Sequence, residues 1–91
     1  MIPENRKPTH PGEILLEEFL KPKKMTHVQL AKLMKVPVQR INTLIGGKRN
    51  VSPETAILLS RVFNTTPAYW MNLQTNHDLY IAESKMKSRA A

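Results

Sequence analysis

The chain has 91 residues, a formal net charge of +7 and no cysteine. That length supports one compact domain with a modest stability margin, which dimerisation would raise. The missing cysteine excludes a disulfide framework and thiolate-held zinc; no apolar run approaches the roughly 20 residues of a membrane span, and nothing near the start has the pattern of an export signal, so a soluble cytoplasmic protein is expected.

Charge is unevenly placed. Lys21, Lys23, Lys24, Lys32, Lys35, Arg40, Lys48 and Arg49 form a stretch with no acidic residue among them, whereas Glu13, Glu17 and Glu18 precede it and Glu54, Asp78 and Glu83 follow it. A basic surplus alone does not choose among DNA, RNA, acidic protein and lipid headgroups, and lysines often do no more than solvate helix faces. The acid-free middle third turns the choice toward a polyanion.

Residues 1–9 are polar and proline-containing and are expected to form an arm. The first helix is predicted from Pro11 to Leu20: Pro11 suits the first helical position, Glu13 lies in the positive first turn, Leu15, Leu16, Phe19 and Leu20 share a face, and Pro22 is expected to end it. Thr26 with Gln29 matches a capping box, so a second helix starts there, turns Leu30, Ala31 and Met34 inward and Lys32 outward, and stops near Lys35 ahead of Pro37. The third helix, about 37–45, has Ile41 and Leu44 as core positions and Gln39, Arg40, Asn42 and Thr43 facing mostly outward; Gly46 and Gly47 terminate it.

Ser52-Pro53 and Thr66-Pro67 are cap and first-turn pairs for a fourth and a fifth helix. The fourth presents Ala56, Leu59, Val62 and Phe63 and closes at Asn64; the fifth carries Trp70 and Leu73. Thr75 to Ile81 either continues the fifth helix or forms a short sixth one, and 85–91 reads as a frayed basic tail. No segment alternates apolar and polar residues for strand length, so the fold class is all-α, with the domain proper over 10–84.

Two short helices joined by a tight turn, with Ala31 small enough for a close crossing, make a helix-turn-helix pattern from about Thr26 to Ile45. On that geometry Gln39 can pair bidentately with adenine, Arg40 can reach guanine or a phosphate, and Val38 or Thr43 can touch a thymine methyl. Thr26 and His27 before the turn, and Lys48 and Arg49 after it, lie toward the sugar-phosphate backbone. Any tight helical hairpin has similar spacing, however; Val38 is equally placed for the core, and Thr43 for plain solvation.

The run His10-Pro11-Gly12-Glu13-Ile14-Leu15 with Glu17-Glu18-Phe19-Leu20 and Pro22, then Leu30-Ala31, Gly47-Lys48-Arg49, Thr55-Ala56, Thr66-Pro67, Trp70, Asn72-Leu73-Gln74 and Asp78-Leu79, resembles the HigA family of antitoxins, among the phage-repressor-like helix-turn-helix proteins. The resemblance implies a five-helix, lambda-repressor-like domain, commonly a homodimer, that binds a palindromic double-stranded operator in its own promoter and neutralises a HigB-type toxin, a ribosome-dependent messenger-RNA interferase. Carried over by motif position, it implies base contacts from Val38, Gln39, Arg40, Asn42 and Thr43 and backbone contacts from Thr26, His27, Gly47, Lys48 and Arg49. Lys35 stands where the family often has glycine, Pro37 where a serine or threonine cap is common, and Gly46 where asparagine is frequent. Trp70 is read as the lid of the monomer core, and the dimer interface is assigned mainly to Leu73, His77, Leu79 and Tyr80. Half-sites one helical turn apart, about 34 Å, would need the recognition helices held at that separation.

Other functions are less supported. His10, His27 and His77 are scattered, and no nucleophilic cysteine, metal-ligand spacing or phosphate-binding glycine loop is present, so neither an enzyme, a metal nor a cofactor is expected. Two Tyr, two Phe and one Trp, mostly at core spacing, leave no stacking platform for RNA. A stand-alone helix-turn-helix regulator and a protein-only interaction module remain the alternatives.

Overall fold

His10 starts the first helix. Its Nδ1 accepts the Gly12 N–H at 2.9 Å from an extended backbone, and Pro11 occupies the first helical turn. The computed structural model describes residues 8–90, so of the arm expected over 1–9 the first seven residues lie outside the described residues. This helix, α1, consists of α-helical Pro11–Ile14, π-helical Leu15–Leu20 and a last α-turn, Lys21–Lys23. It therefore runs through Pro22, which was expected to end it. The wide turn just ahead explains the difference: the Lys21 N–H donates to the Leu16 carbonyl five residues back, and that register absorbs a residue with no N–H whose ring would crowd an α-helical carbonyl.

Four more helices follow: α2 (His27–Met34), α3 (Val38–Ile45), α4 (Pro53–Phe63) and α5 (Pro67–Ala90). No strand occurs among the described residues. The caps are those expected. Thr26 and Gln29 form the reciprocal capping box, Ser52 Oγ accepts the Thr55 N–H, and Thr66 Oγ1 accepts the Tyr69 N–H. The first four helices end on a left-handed residue: Lys24, Lys35, Gly47 and Asn64. In each case the next N–H reaches back five residues, from Met25 to Leu20, Val36 to Ala31, Lys48 to Thr43 and Thr65 to Ser60, and so satisfies a carbonyl that the helix end leaves open.

The apolar faces meet in one core. Leu15 and Leu20 of α1, Leu30 and Met34 of α2, Ile41 and Leu44 of α3, Leu59 of α4 and Trp70 of α5 are all buried. Each side chain of this size contributes about 1.5–3 kcal/mol on burial. Trp70 is fully buried, its Nε1–H donating to Thr65 Oγ1 at 2.8 Å, and Phe19 lies 5.0 Å from both its ring and that of Phe63. It belongs to the monomer core, as expected. α5 is one helix to Ala90: no sixth helix separates, and the segment expected to fray from Lys85 stays helical to that residue. After Pro67 no glycine or proline interrupts it, and Glu83, Lys85, Met86 and Lys87 are all good helix formers.

Candidate nucleic-acid interface

α2 and α3 form a tight pair, with Lys35, Val36 and Pro37 as the turn. Lys35 takes the left-handed conformation, φ 57°, although a side chain disfavours it. Pro37 provides the extended backbone of an N-cap but no side-chain cap, so the first turn of α3 keeps its amide groups uncapped by any side chain. Ile41 and Leu44 anchor the inner face of α3. Gln39 and Asn42 are exposed on the opposite face with Thr43 half-buried beside them, and Val38, 38% exposed, stands at the edge outside the core cluster.

Two side-chain contacts, His27 with Asn42 and Arg49 with Thr43, join this face to its flanks. His27 Nδ1 and Asn42 Oδ1 lie 2.7 Å apart; the oxygen can only accept, so Nδ1 carries the proton, and the start of α2 is tied to the middle of α3. The Thr43 hydroxyl donates to the Gln39 and Arg40 carbonyls at 3.0 and 3.2 Å and accepts the Arg49 Nε–H at 3.3 Å. This draws Arg49 over α3. Thr26, Gly47 and Lys48 are exposed at the two ends of the same surface, with Gly47 at φ 77°. Arg40 differs from its neighbours. Its Nη2 donates to Glu54 Oε1 and to Thr55 Oγ1, both at 3.1 Å, so its guanidinium is turned onto the first turn of α4.

The C-terminal residues do not form one free face. Leu73, His77 and Tyr80 follow at helical spacing and are half-buried, whereas Leu79 is 54% exposed on another side of α5. His77 packs its ring edge-on to His10 at 5.0 Å. The His10 imidazole is held below the ordinary histidine pKa, first by burial and then by His77, with Asn50, Asp78 and Glu13 opposing.

Two residues of the sequence motifs, Gln74 and Gly12, have positioning roles that the sequence alone did not assign. Buried Gln74 accepts the Val51 N–H through Oε1 at 2.8 Å and donates through Nε2 to Asp78 Oδ1 at 2.9 Å, which ties α5 to the loop carrying Lys48 and Arg49. Gly12 lies against the end of α3 so closely that a Cβ there would overlap the Leu44 carbonyl. A glutamine one helical turn after Trp70, on the same face, and a glycine in a helical first turn were the available signals.

The helix-turn-helix family signature matches residues 16–70, from the middle of α1 into α5. An uncharacterised helix-turn-helix transcriptional regulator of Escherichia coli K12, YbaQ, is 40% identical over 92% of this chain and 74% of its own length. Antitoxin HigA-1 of Vibrio cholerae is 34% identical over 93% of this chain and 80% of its own. The chain belongs to the HigA family of helix-turn-helix antitoxins. A solved structure of the Pseudomonas aeruginosa antitoxin HigA with the higBA promoter superposes with a TM-score of 0.86 at 36% identity, covering 91% of this chain and 90% of that one.

The HigA motifs acquire physical roles in this fold. The opening His10-Pro11-Gly12 caps α1 and lets it approach α3, while Trp70 fills the core and Gln74 holds the loop behind α3. These segments thus orient α3 from opposite ends of the domain. The departures are accommodated locally: Lys35 accepts the left-handed turn, Pro37 leaves α3 without a side-chain cap, and Gly46 is a right-handed C-cap.

Proposed function

We propose that this protein is a transcriptional autorepressor and antitoxin: it sets α3 in the major groove of an operator in its own promoter and also binds and neutralises a HigB-type mRNA interferase. The observation that carries the DNA-binding half is the exposed polar face of α3, joined to α2 through His27 and Asn42 and flanked by Lys48 and Arg49. Such a face suits base edges in the centre and phosphates at the rim. The P. aeruginosa relative solved with the higBA promoter supports it.

Within this proposal Gln39, Asn42 and Thr43 face the bases with Val38 at the edge, while Thr26, His27, Gly47, Lys48 and Arg49 meet the backbone. Arg40 joins them once its guanidinium leaves Glu54. Two copies, joined through α5 and including exposed Leu79, would bind two half-sites. No helix among the described residues is long and apolar enough to cross a membrane, and the proposed site of action is the cytoplasm.

The test is fluorescence anisotropy with a duplex taken from upstream of the protein's own reading frame, against a scrambled duplex, at several salt concentrations. Preferential, salt-dependent binding supports operator recognition; equal binding to both duplexes rejects it. Co-expression with the product of the adjacent reading frame tests the antitoxin half. Selective DNA binding without rescue of growth would leave a stand-alone helix-turn-helix regulator.

A further inference from the structure

We propose that Glu54 competes with DNA for the Arg40 guanidinium, so that this one carboxylate limits how tightly the free protein grips a duplex. Glu54 can act in this way only if α3 faces DNA, as proposed above.

Glu54 is the only acidic residue between Glu18 and Asp78. It sits in the first turn of α4, where the helix dipole favours a negative charge, so it has a reason to persist beside a cationic surface. Its partner is incompletely satisfied. Both contacts of Arg40, to Glu54 and to Thr55, converge on Nη2, and the buried Nε has no partner among the described residues. A guanidinium offers five donors in a planar fork suited to a bidentate carboxylate or phosphate, and here only one nitrogen of the fork is used.

The pair is also exchangeable. The Glu54 side chain is 72% exposed, and ion pairs with so open a carboxylate are weak and screened by salt. Arg40 shares a shallow depression with Pro37, Gln39, Thr43 and Arg49, so its side chain already borders the face offered to a duplex. A phosphate at that rim gives the guanidinium a fuller partner and brings it next to Arg49. Thr55 does not compete in the same way: its hydroxyl is neutral and already accepts from Ser52 Oγ at 3.1 Å.

The experiment is a double-mutant cycle on the full chain, with Glu54→Gln, Arg40→Ala and the double variant, read by anisotropy on the upstream duplex and on a scrambled one across a salt series. Glu54→Gln is expected to bind both duplexes about fivefold more tightly near 0.1 M salt, with the slope of log affinity against log salt steeper by about 0.9, as one extra phosphate contact requires. The gain should vanish in the Arg40→Ala background. Unchanged or weaker binding by Glu54→Gln overturns the proposal, and so does a gain that persists without Arg40, which would mark Glu54 as a simple repeller of phosphate. Glu54→Ala, at an exposed position, repeats the test without the glutamine amide, and thermal melting establishes that each variant is folded. Absence of salt-dependent binding by the unaltered protein would reject the DNA-binding role itself, whereas binding without a Glu54 effect rejects the competition alone.

Discussion

The buried side chain of Gln74 accepts the backbone N–H of Val51 at 2.8 Å. This bond links α5 to the loop after α3, so the long C-terminal helix helps set where Lys48 and Arg49 stand. Gln74→Leu leaves a buried N–H without a partner, a loss of about 1–3 kcal/mol. Urea unfolding should show it. Affinity for DNA should fall as well; a variant that loses stability but keeps full affinity would show that the loop holds its place without α5.

Gly12 has no room for a methyl group against the Leu44 carbonyl. The obstacle is backbone, which cannot rotate aside as a side chain can. Gly12→Ala should therefore push α1 from α3 and destabilise the protein by about 3 kcal/mol or more, at the upper end of overpacking effects. A melting temperature unchanged by Gly12→Ala would show that the two helices slide apart without loss.

His10 makes stability depend on pH. Its folded pKa is lowered, chiefly by burial, so between the unfolded and folded values the unfolded chain binds more protons. Stability is therefore complete above about pH 6.5, the ordinary histidine value, and declines as pH falls through the folded value. Protonation also removes the Nδ1 acceptor that caps Gly12. His10→Asn keeps a capping acceptor without the titration, so its melting temperature should drop less between pH 7 and pH 5. Equal drops would assign the pH dependence to other groups.

Lys35 holds the turn between α2 and α3 at φ 57°. Glycine enters that region without strain, though it loses more chain entropy on folding. Lys35→Gly is expected to stabilise the protein by about 0.5–1 kcal/mol, measured by denaturant midpoint. Destabilisation would mean that the lysine makes a contribution beyond its backbone.

Lys48 follows the left-handed Gly47 and is exposed. Lys48→Ala should weaken binding to operator and scrambled duplexes alike and flatten the salt slope by about 0.9. An unchanged slope would remove Lys48 from the proposed interface.

The features legible from residue order are local in origin. The capping box of Thr26 and Gln29, the Ser52-Pro53 and Thr66-Pro67 starts, and the inward placement of Ile41 and Leu44 depend on residues three or four apart, a spacing that helical geometry reads directly. Pro22 was misleading because its effect depends on the register of the turn before it, and the extent of α5 stayed open because a single exposed Met86 gives its last turns no apolar period, even though no glycine or proline stops them. The tertiary structure alone decided where the polar side chains of the site turn. Arg40 meets Glu54 across 14 residues and Gln74 meets Val51 across 23, contacts that exist only once α3, α4 and α5 have packed. Helix spacing places a side chain on a face; only packing decides whether it is held by a neighbouring helix or left for a ligand.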